Sequence, residues 1–234
     1  MSRSKKTFWV ETLPDPLPGN PLEVAAQWLS EARLDSNQPN PDAMVLATVD
    51  GRGYPSARVV LCKGIIPQPG SILFHTNYRS RKGSELEGNP RAAVVFHWDH
   101  RHRQVRAEGR VERLSKDESD AYFRTRAWQS RLGAWASQQS QPVESREALA
   151  AAVLREARRF GIPYGGPGTA EPETVSVDVP RPPHWGGYRL LADAVELWVE
   201  GEFRIHDRAR WTRELPEPGS GANGAPWGVT RLQP

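Results

Sequence analysis

A predicted helix start at Ser80 carries the residues best suited to bind an anion. Ser80 follows the end of a predicted strand and is a favourable N-cap, so the unpaired backbone N–H groups of the next turn point outward beside Arg81 and Lys82. The helix dipole adds partial positive charge at the same point. Residues 75–90 are therefore a candidate phosphate site, and a solvated basic turn that binds nothing is the alternative.

A second candidate anion site follows from the spacing of Tyr122, Arg126 and Ser130. A capping box starts a predicted helix over about 116–126, and the three side chains fall at positions i, i+4 and i+8. If the helix continues, they share one face and can clamp a phosphate through a guanidinium and two hydroxyl groups. The alternative is an exposed amphipathic face with Arg126 in water.

A third group lies near the C-terminus, where residues 202–211 are predicted to form a strand. The period of two would place Arg204, His206 and Arg208 on one face. Cations in one row repel each other unless an anion or an aromatic ring lies against them. The row therefore favours a binding site, and the alternative is a charged edge strand that resists aggregation.

The elements that position these groups are mainly β. Short runs rich in β-branched residues are separated by turn signals and show no alternation with helices, which favours an antiparallel barrel or sandwich over a doubly wound sheet. The predicted strands are 43–49, 56–63, 71–76, 92–98, 104–114, 195–199, 202–211 and 227–232.

Helices flank the predicted strands, so the fold class is α+β. Besides 116–126, caps and apolar periodicity predict helices over about 21–34 and 144–160. Residues 1–19 contain several prolines and little apolar periodicity, which indicates a flexible N-terminal arm. We expect one domain from residue 20 to 234, with Gly/Pro-rich loops at about 162–183 and 216–226.

Composition excludes several classes of protein. The 234 residues carry a formal charge of +3 and contain no apolar run long enough to cross a bilayer. Cys62 is the only cysteine, so an internal disulfide or a multi-cysteine metal site is excluded. The basic residues are interleaved with acidic ones, which argues against nucleic acid. No secretory signal is evident, and we expect a soluble, cytoplasmic protein with no membrane partner.

Several short motifs occur in a fixed order along the chain. They lie at residues 58–63 (RVVLCK), 76–82, 89–90, 103–105, 122–126, 133–140, 185–189, 204–208 and 231–234. Together they make residues 20–234 resemble the pyridoxamine/pyridoxine 5'-phosphate oxidases, which are FMN-dependent flavoproteins. The resemblance implies an antiparallel split β-barrel that forms a homodimer, with FMN at the subunit interface and contacts from both chains.

The resemblance also implies which residues bind the cofactor. These are Arg58, Val59, Val60, Leu61, Cys62, Lys63, His75, Thr76, Arg81, Lys82, Gln104, Gln139, Ser140, Trp198 and Arg208.

For the substrate, the resemblance implies a phosphate clamp and a ring site. The substrate phosphate would contact Lys63, Tyr122, Arg126 and Ser130. Arg204 and His206 would lie over the pyridine ring and act as the catalytic residues, by holding the reacting carbon against the flavin. The implied reaction is oxidation of pyridoxamine or pyridoxine 5'-phosphate by oxygen to pyridoxal 5'-phosphate and hydrogen peroxide, with ammonia released from the amine. No general base is evident.

Two departures and three alternatives remain. His75 stands where the family usually has tyrosine, and Ala127 where proline is common. Related split-barrel flavoproteins act elsewhere, including in phenazine synthesis, and a non-catalytic protein that binds FMN or pyridoxal phosphate is the other alternative. A metal site at His97, His100 and His102 is the third, but we expect a hairpin turn there and no metal.

Overall fold

The computed structural model describes residues 8–166, 178–217 and 224–234. In these ranges the chain forms eight strands and five α-helices. The strands are β1 (Ala43–Val49), β2 (Pro55–Ile66), β3 (Ser71–Asn77), β4 (Arg91–Trp98), β5 (Arg103–Arg113), β6 (Trp185–Val199), β7 (Asp207–Thr212) and β8 (Gly228–Leu232). The helices are α1 (Pro21–Leu34), α2 (Arg81–Gly88), α3 (Lys116–Arg124), α4 (Trp128–Ala136) and α5 (Arg146–Arg159).

The strands form one sheet that closes on itself. Their order is β3-β2-β1-β4-β5-β6-β7-β8, and β3 also pairs with β6. Strand β1 lies antiparallel to both β2 and β4, and β5, β7 and β8 continue the antiparallel pattern. The additional pairing closes the first six strands into a barrel, so the predicted antiparallel barrel with flanking helices is confirmed.

Packing divides the chain into two compact units. The first comprises residues 1–74, 89–112 and 189–234, and the second comprises residues 75–88 and 113–188. The sequence indicates no such division, because each unit is assembled from separate stretches of chain. The first unit contains α1 and most of the barrel, whose fully buried side chains include Leu46, Phe74, Phe96, Val105 and Leu197.

Helix α1 shows why the predicted helices form. The Asn20 side chain accepts the Leu22 N–H at 3.1 Å, and Pro21 occupies the first helical position, where its missing N–H costs nothing. Leu22, Ala25 and Leu29 recur on one face and are buried. The helix has the predicted bounds.

The second unit has two apolar clusters of its own. One joins Leu132 of α4 to Ala157 of α5 and to Ile162, and the other joins Phe123 of α3 to Trp185 of β6. Helix α5 begins at Arg146 because Ser145 is its N-cap: the Ser145 hydroxyl accepts the Ala148 N–H at 3.0 Å.

The predicted helix over about 116–126 is present, but it does not continue through Ser130, so Tyr122, Arg126 and Ser130 do not share one helical face. Helix α3 ends at Arg124, and α4 begins only at Trp128. The Thr125 backbone N–H and hydroxyl both donate to the Tyr122 carbonyl, which tightens the last turn and ends the helix. Tyr122 and Arg126 therefore precede the break or lie within it, and Ser130 belongs to the next helix.

The expected strand over residues 202–211 is also wrong in its first half. Glu202–Arg204 form a 3₁₀ turn in which Phe203 (φ 54°) and Arg204 (φ 67°) are left-handed, and β7 begins at Asp207. The chain must reverse here because β6 and β7 are antiparallel neighbours. Arg204, His206 and Arg208 therefore do not share one strand face.

Strand β6 begins at Trp185, ten residues before the predicted strand. The Gly186-Gly187 pair suggests a turn, but both glycines are needed for close packing. A Cβ at Gly186 would overlap the Tyr78 hydroxyl, and a Cβ at Gly187 would overlap the Leu114 side chain. Close approach of neighbouring groups, not a turn, selects glycine here.

The described part of the N-terminal arm packs against the first unit. Leu13 is only 2% exposed, its N–H donates to Asp207 at 2.8 Å, and the Trp211 indole donates to the Pro18 carbonyl at 2.8 Å. The sequence predicts a flexible arm here and gives no sign that Leu13 is buried. The segment is held by one buried apolar side chain and by hydrogen bonds of its backbone, and neither produces a periodic pattern in the sequence.

Parts of the two predicted loops lie outside the described residues, at positions 167–177 and 218–223, as do residues 1–7. None of the helices in the described ranges is long and apolar enough to cross a lipid bilayer.

Burial of Leu13 makes the arm a contributor to stability. We expect Leu13→Ala to lower the free energy of unfolding by about 2–5 kcal/mol, because it removes buried methyl groups and leaves a cavity. Denaturant unfolding followed by circular dichroism measures the change. Leu34→Ala is the matched control, since Leu34 is 85% exposed and its loss should change stability by less than about 0.5 kcal/mol. Equal effects would show that Leu13 contributes no packing.

Candidate functional site

The turn before α2 has the geometry of a capped helix start. Ser80 is fully buried, and its hydroxyl accepts the Gly83 N–H at 3.3 Å while it donates to the Asn77 carbonyl at 2.7 Å. A Cβ at Gly83 would overlap the Tyr78 carbonyl oxygen, so only glycine allows this tight approach. The N-terminus of α2 is thereby held at the end of β3.

Lys82 places a positive charge inside this turn. The side chain is largely buried, and Nζ donates to Thr76 Oγ1 at 3.2 Å, Ser80 Oγ at 3.3 Å and Gln139 Oε1 at 2.9 Å. Thr76 also donates to Gln139 at 3.0 Å. The structure therefore brings together three predicted cofactor residues: Thr76, Lys82 and Gln139. Arg81, in contrast, is exposed and paired with Glu85 at 2.8 Å.

An aromatic cluster lies in the same unit. His75 stacks on Tyr122 with ring centroids 3.9 Å apart, and Trp185 lies nearly parallel to His75 at 5.3 Å. The Arg126 guanidinium carbon is 4.6 Å from the centre of the Trp185 ring. Tyr122 and Arg126 thus share one cluster, although not through the helical spacing that the sequence suggests. Ser130 is exposed on α4.

Arg126 has an unmet hydrogen-bonding requirement. Its Nη1 atom is buried and has no hydrogen-bond partner among the described residues. Burial lowers the pKa of the guanidinium, and the nearby Tyr122 opposes that shift only in part. A buried cation with a free donor is stabilised by an anion with oxygen acceptors. The cluster can therefore bind a phosphate or a carboxylate over an aromatic surface.

The predicted cofactor residues 58–63 lie on β2, where neighbouring side chains point to opposite faces of the strand and differ in burial. Arg58 is held by the Leu46 carbonyl at 3.1 Å and by the Thr48 and Ser56 hydroxyls at 2.5 Å. Other members of the motif differ in burial. Val59 and Leu61 are exposed, Val60 and Lys63 are intermediate, and Cys62 is fully buried.

Burial raises the pKa of the Cys62 thiol to about 12. Cys62 is therefore a small, buried apolar side chain of β2, and its thiol is a poor nucleophile at neutral pH.

Two of the remaining predicted residues, His206 and Arg208, line a cavity of the first unit. The cavity is about 590 Å³ and is lined by His206, Arg208, Trp9 and Thr12, among others. The Trp198 ring lies 4.6 Å from His206 and across the strand pair from Arg208. Predicted residues outside this lining are the exposed Arg204, the half-buried Gln104 on β5 and the exposed Ser140, whose φ is 71°.

Sequence reasoning missed Glu196. Its carboxylate is almost fully buried and accepts two hydrogen bonds from Arg208, at 2.8 and 3.0 Å, and one from Arg106 at 3.2 Å. A glutamate inside the apolar run Ala-Val-Glu-Leu-Trp-Val is the available signal, since a charge in such a run needs a partner. Glu196 fixes the direction of the Arg208 side chain.

The proposed histidine metal site lacks the geometry for metal binding. His100 lies in the 3₁₀ turn Asp99–Arg101, and His102 contacts Glu200 at 2.5 Å. In the part of the chain that the structure describes, no group of three or more His, Cys, Asp or Glu side chains could hold a metal ion.

The six strands that close into an antiparallel barrel define a split-barrel protein. Family models agree: residues 31–158 match the model described as pyridoxamine 5'-phosphate oxidase, and residues 185–234 match the pyridoxine 5'-phosphate oxidase C-terminal dimerisation region. The chain belongs to the pyridoxamine 5'-phosphate oxidase family, as its motifs indicate, and is an oxidoreductase.

Curated relatives support the same assignment. The pyridoxine/pyridoxamine 5'-phosphate oxidase of Paraburkholderia phymatum is 46% identical over 215 residues, which cover 92% of this chain and 89% of that protein. The enzyme of the same name from Roseobacter denitrificans is 43% identical and is covered to 94%.

Two solved structures share the fold. PhzG from Burkholderia lata, solved with tetrahydrophenazine-1-carboxylic acid, superposes with a TM-score of 0.78 at 28% identity, covering 97% of this chain and 100% of that one. A pyridoxamine 5'-phosphate oxidase-related, FMN-binding protein from Nostoc punctiforme has a TM-score of 0.62 at 18% identity, with 91% and 96% coverage.

The burial of Cys62 gives a direct test of how β2 is packed. With a pKa of about 12, only roughly one thiol in ten thousand is ionised at pH 8, so the native protein should not react with a thiol-specific disulfide reagent. Unfolding in guanidinium chloride should release one reactive thiol per chain. Rapid stoichiometric labelling of the folded protein would contradict this packing.

Proposed function

We propose that the protein oxidises pyridoxamine 5'-phosphate and pyridoxine 5'-phosphate with molecular oxygen and forms pyridoxal 5'-phosphate and hydrogen peroxide; with the amine, water is consumed and ammonia is released. The observation that carries the proposal is the buried Arg126 nitrogen without a partner among the described residues, set beside the stacked His75, Tyr122 and Trp185 rings. A phosphorylated aromatic ring supplies both an anion and a flat apolar face. The names of the relatives from Paraburkholderia phymatum and Roseobacter denitrificans give the same substrates.

The cofactor is FMN, in accordance with membership of the family. The residues present fit a flavin phosphate, because Lys82 and the capped start of α2 offer a buried ammonium group and backbone N–H groups. We assign the phosphate contacts to Lys82, Thr76, Arg81 and Gln139. Residues 58–63, His75, Gln104, Ser140, Trp198 and Arg208 retain the cofactor roles that the family resemblance implies.

The substrate phosphate is assigned to Arg126 and Tyr122, with Lys63 and Ser130 as further contacts. A phosphate offers enough acceptor oxygens to bond both the free Nη1 of Arg126 and the Tyr122 hydroxyl. Because the phosphate does not react, these bonds are as strong in the substrate complex as in the transition state. They therefore act on binding more than on rate.

His206 and Arg204 are assigned to the reacting ring. The Gly201 N–H donates to His206 Nδ1 at 3.2 Å, so the neutral imidazole carries its proton on Nε2. When bound, FMN would accept a hydride from the substrate's C4' carbon and pass the electrons to oxygen. The residues' task is then to hold that carbon in position and to exclude water.

The protein assembles as a homodimer, since its C-terminal region matches a dimerisation region. We propose that the second copy covers the outer face of β1 and β2. There Val45 and Val59 are cross-strand partners, 39% and 64% exposed, and Leu61 is 49% exposed. Apolar side chains exposed in a row are typical of an interface. We also propose a cytoplasmic location, where the unpaired Cys62 stays reduced.

A second candidate substrate is a phenazine-type carboxylic acid. The PhzG structure favours it, because that protein holds tetrahydrophenazine-1-carboxylic acid in the same fold at 28% identity. Parallel assays with a dihydrophenazine carboxylate and with pyridoxine 5'-phosphate separate the two activities. The higher kcat/KM identifies the physiological class.

Steady-state kinetics test the two halves of the substrate site. Arg126→Ala should raise KM for pyridoxine 5'-phosphate with a smaller effect on kcat, because it removes uniform binding. Arg204→Ala should lower kcat and kcat/KM, on the order of a hundredfold, because it misplaces the reacting carbon. Oxygen consumption measures both.

Two controls complete the experiment. Arg52→Ala removes an arginine that is 75% exposed in the turn between β1 and β2 and should match wild type. Unphosphorylated pyridoxine with the wild-type enzyme should resemble Arg126→Ala. An unchanged kcat in Arg204→Ala would remove Arg204 from the ring site, and no turnover of either phosphorylated vitamer by wild type would refute the proposed reaction.

The cofactor assignment predicts a yellow protein whose colour depends on Lys82. Loss of a charge-assisted hydrogen bond of about 1.5–3 kcal/mol should weaken FMN binding roughly 10- to 150-fold in Lys82→Ala. Flavin fluorescence quenching gives the dissociation constant. Lys116→Ala, which removes an exposed lysine from α3, is the control. A wild-type dissociation constant for Lys82→Ala would exclude a contact between Lys82 and FMN.

A further inference from the structure

The turn between β6 and β7 holds an unfavourable backbone conformation. Phe203 and Arg204 both have positive φ, at 54° and 67°. Residues other than glycine disfavour this conformation. Within the turn, the Ile205 N–H donates to the Glu202 carbonyl at 3.0 Å. Such a conformation persists only when surrounding groups hold it. The turn carries Arg204 and leads directly into His206.

The N-terminal segment supplies those surrounding groups. The Glu202 N–H donates to the Phe8 carbonyl at 2.8 Å, and the Phe8 ring meets the Phe203 ring edge-on at 6.5 Å. A Cβ at Gly201 would lie 2.8 Å from the Trp9 ring and would overlap the Ile205 carbonyl oxygen. Residues 8 and 9 therefore lie directly against the turn.

Asp207 fixes the other end of the turn. One carboxylate oxygen accepts the Leu13 N–H at 2.8 Å, and the other accepts from Arg231 of β8 at 2.7 Å. The Asp207 side chain is only 12% exposed, whereas Arg231 is 45% exposed, so the bond to the Leu13 N–H is the better shielded of the two. Asp207 thus joins the N-terminal segment, the start of β7 and the C-terminal strand at the residue that follows His206.

The segment is itself anchored between these contacts. Glu11 of the segment forms an ion pair with Arg103, which is only 7% exposed. Arg103 also forms an ion pair with Glu31, and its guanidinium carbon lies 4.9 Å from the centre of the Trp28 ring. A support that holds a strained turn must itself be rigid, and the Arg103 pairs together with the burial of Leu13 provide that rigidity.

We propose that residues 8–13 brace the turn that carries Arg204 and His206, and that Asp207 is the positioning residue through which the brace acts on the reaction. The proposal rests on the proposed function for the role of His206. The brace sets the direction of the imidazole by holding Gly201, whose N–H donates to Nδ1, and Asp207 on either side of it.

Asp207→Asn tests the proposal in the full-length protein. It keeps an acceptor oxygen but loses the charge shared by the Leu13 N–H and Arg231. Asp193→Asn is the matched control. Asp193 lies in the same unit, is 20% exposed and forms an ion pair with Arg91 at 2.8 Å, close to the 2.7 Å between Asp207 and Arg231. Two readouts are needed: amide hydrogen exchange of residues 201–206 in the FMN-free protein, and kcat and KM of the FMN-loaded enzyme.

We expect Asp207→Asn to raise exchange in the turn at least about tenfold and to lower kcat roughly 10- to 100-fold, with KM within about twofold of wild type. Asp193→Asn should match wild type in both. Unchanged exchange, or faster exchange with an unchanged kcat, would overturn the proposal. If Asp207→Asn does not fold, Trp9→Ala decides by the same two readouts. Absence of turnover in wild type would refute the proposed function, and the exchange comparison would still decide whether the brace holds the turn.

Discussion

The burial of the Arg126 guanidinium is the constraint on which the candidate site depends. Removing a cation from water costs free energy, and the cost is recovered only when its donors are satisfied. Stacking on Trp185 offsets part of this cost, but Nη1 stays without a partner among the described residues. The break between α3 and α4 makes this arrangement possible, because a continuous helix would direct Arg126 by helical spacing instead of by the cluster.

Small residues decide how closely the groups of the second unit approach. Gly83 lets the first turn of α2 pack on the Tyr78 carbonyl, and Gly186 lets β6 pass the Tyr78 hydroxyl. Alanine at either position would push backbone or ring atoms apart and move Lys82 or Trp185 with them. The positions of the charged groups thus depend on the absence of a methyl group at neighbouring sites.

Local signals predicted much of the fold. The Asn20 cap and the apolar spacing of α1, and the β-branched runs of β1 to β5, are encoded within a few residues and were confirmed. The failures lie where tertiary contacts override local preference. Gly186 and Gly187 lie within a strand because neighbouring groups approach closely there, and Leu13 is buried without any apolar periodicity. For the site, motif order predicted the family, but the contacts of Asp207 and Glu196 depend on segments distant in sequence.

The choice between a phenazine carboxylic acid and a B6 phosphate depends more on the number of acceptor oxygens in the anionic group than on its charge. A carboxylate and a phosphate both neutralise Arg126, so a buried guanidinium alone does not distinguish a phenazine acid from a B6 phosphate. A carboxylate has two oxygens, and a bidentate pair with Arg126 would use both of them. A phosphate has a further oxygen for the hydroxyl of Tyr122, which lies in the same aromatic cluster as Arg126. A phosphate therefore satisfies more donors of the proposed clamp than a carboxylate does, and the proposal favours the B6 phosphate for that reason.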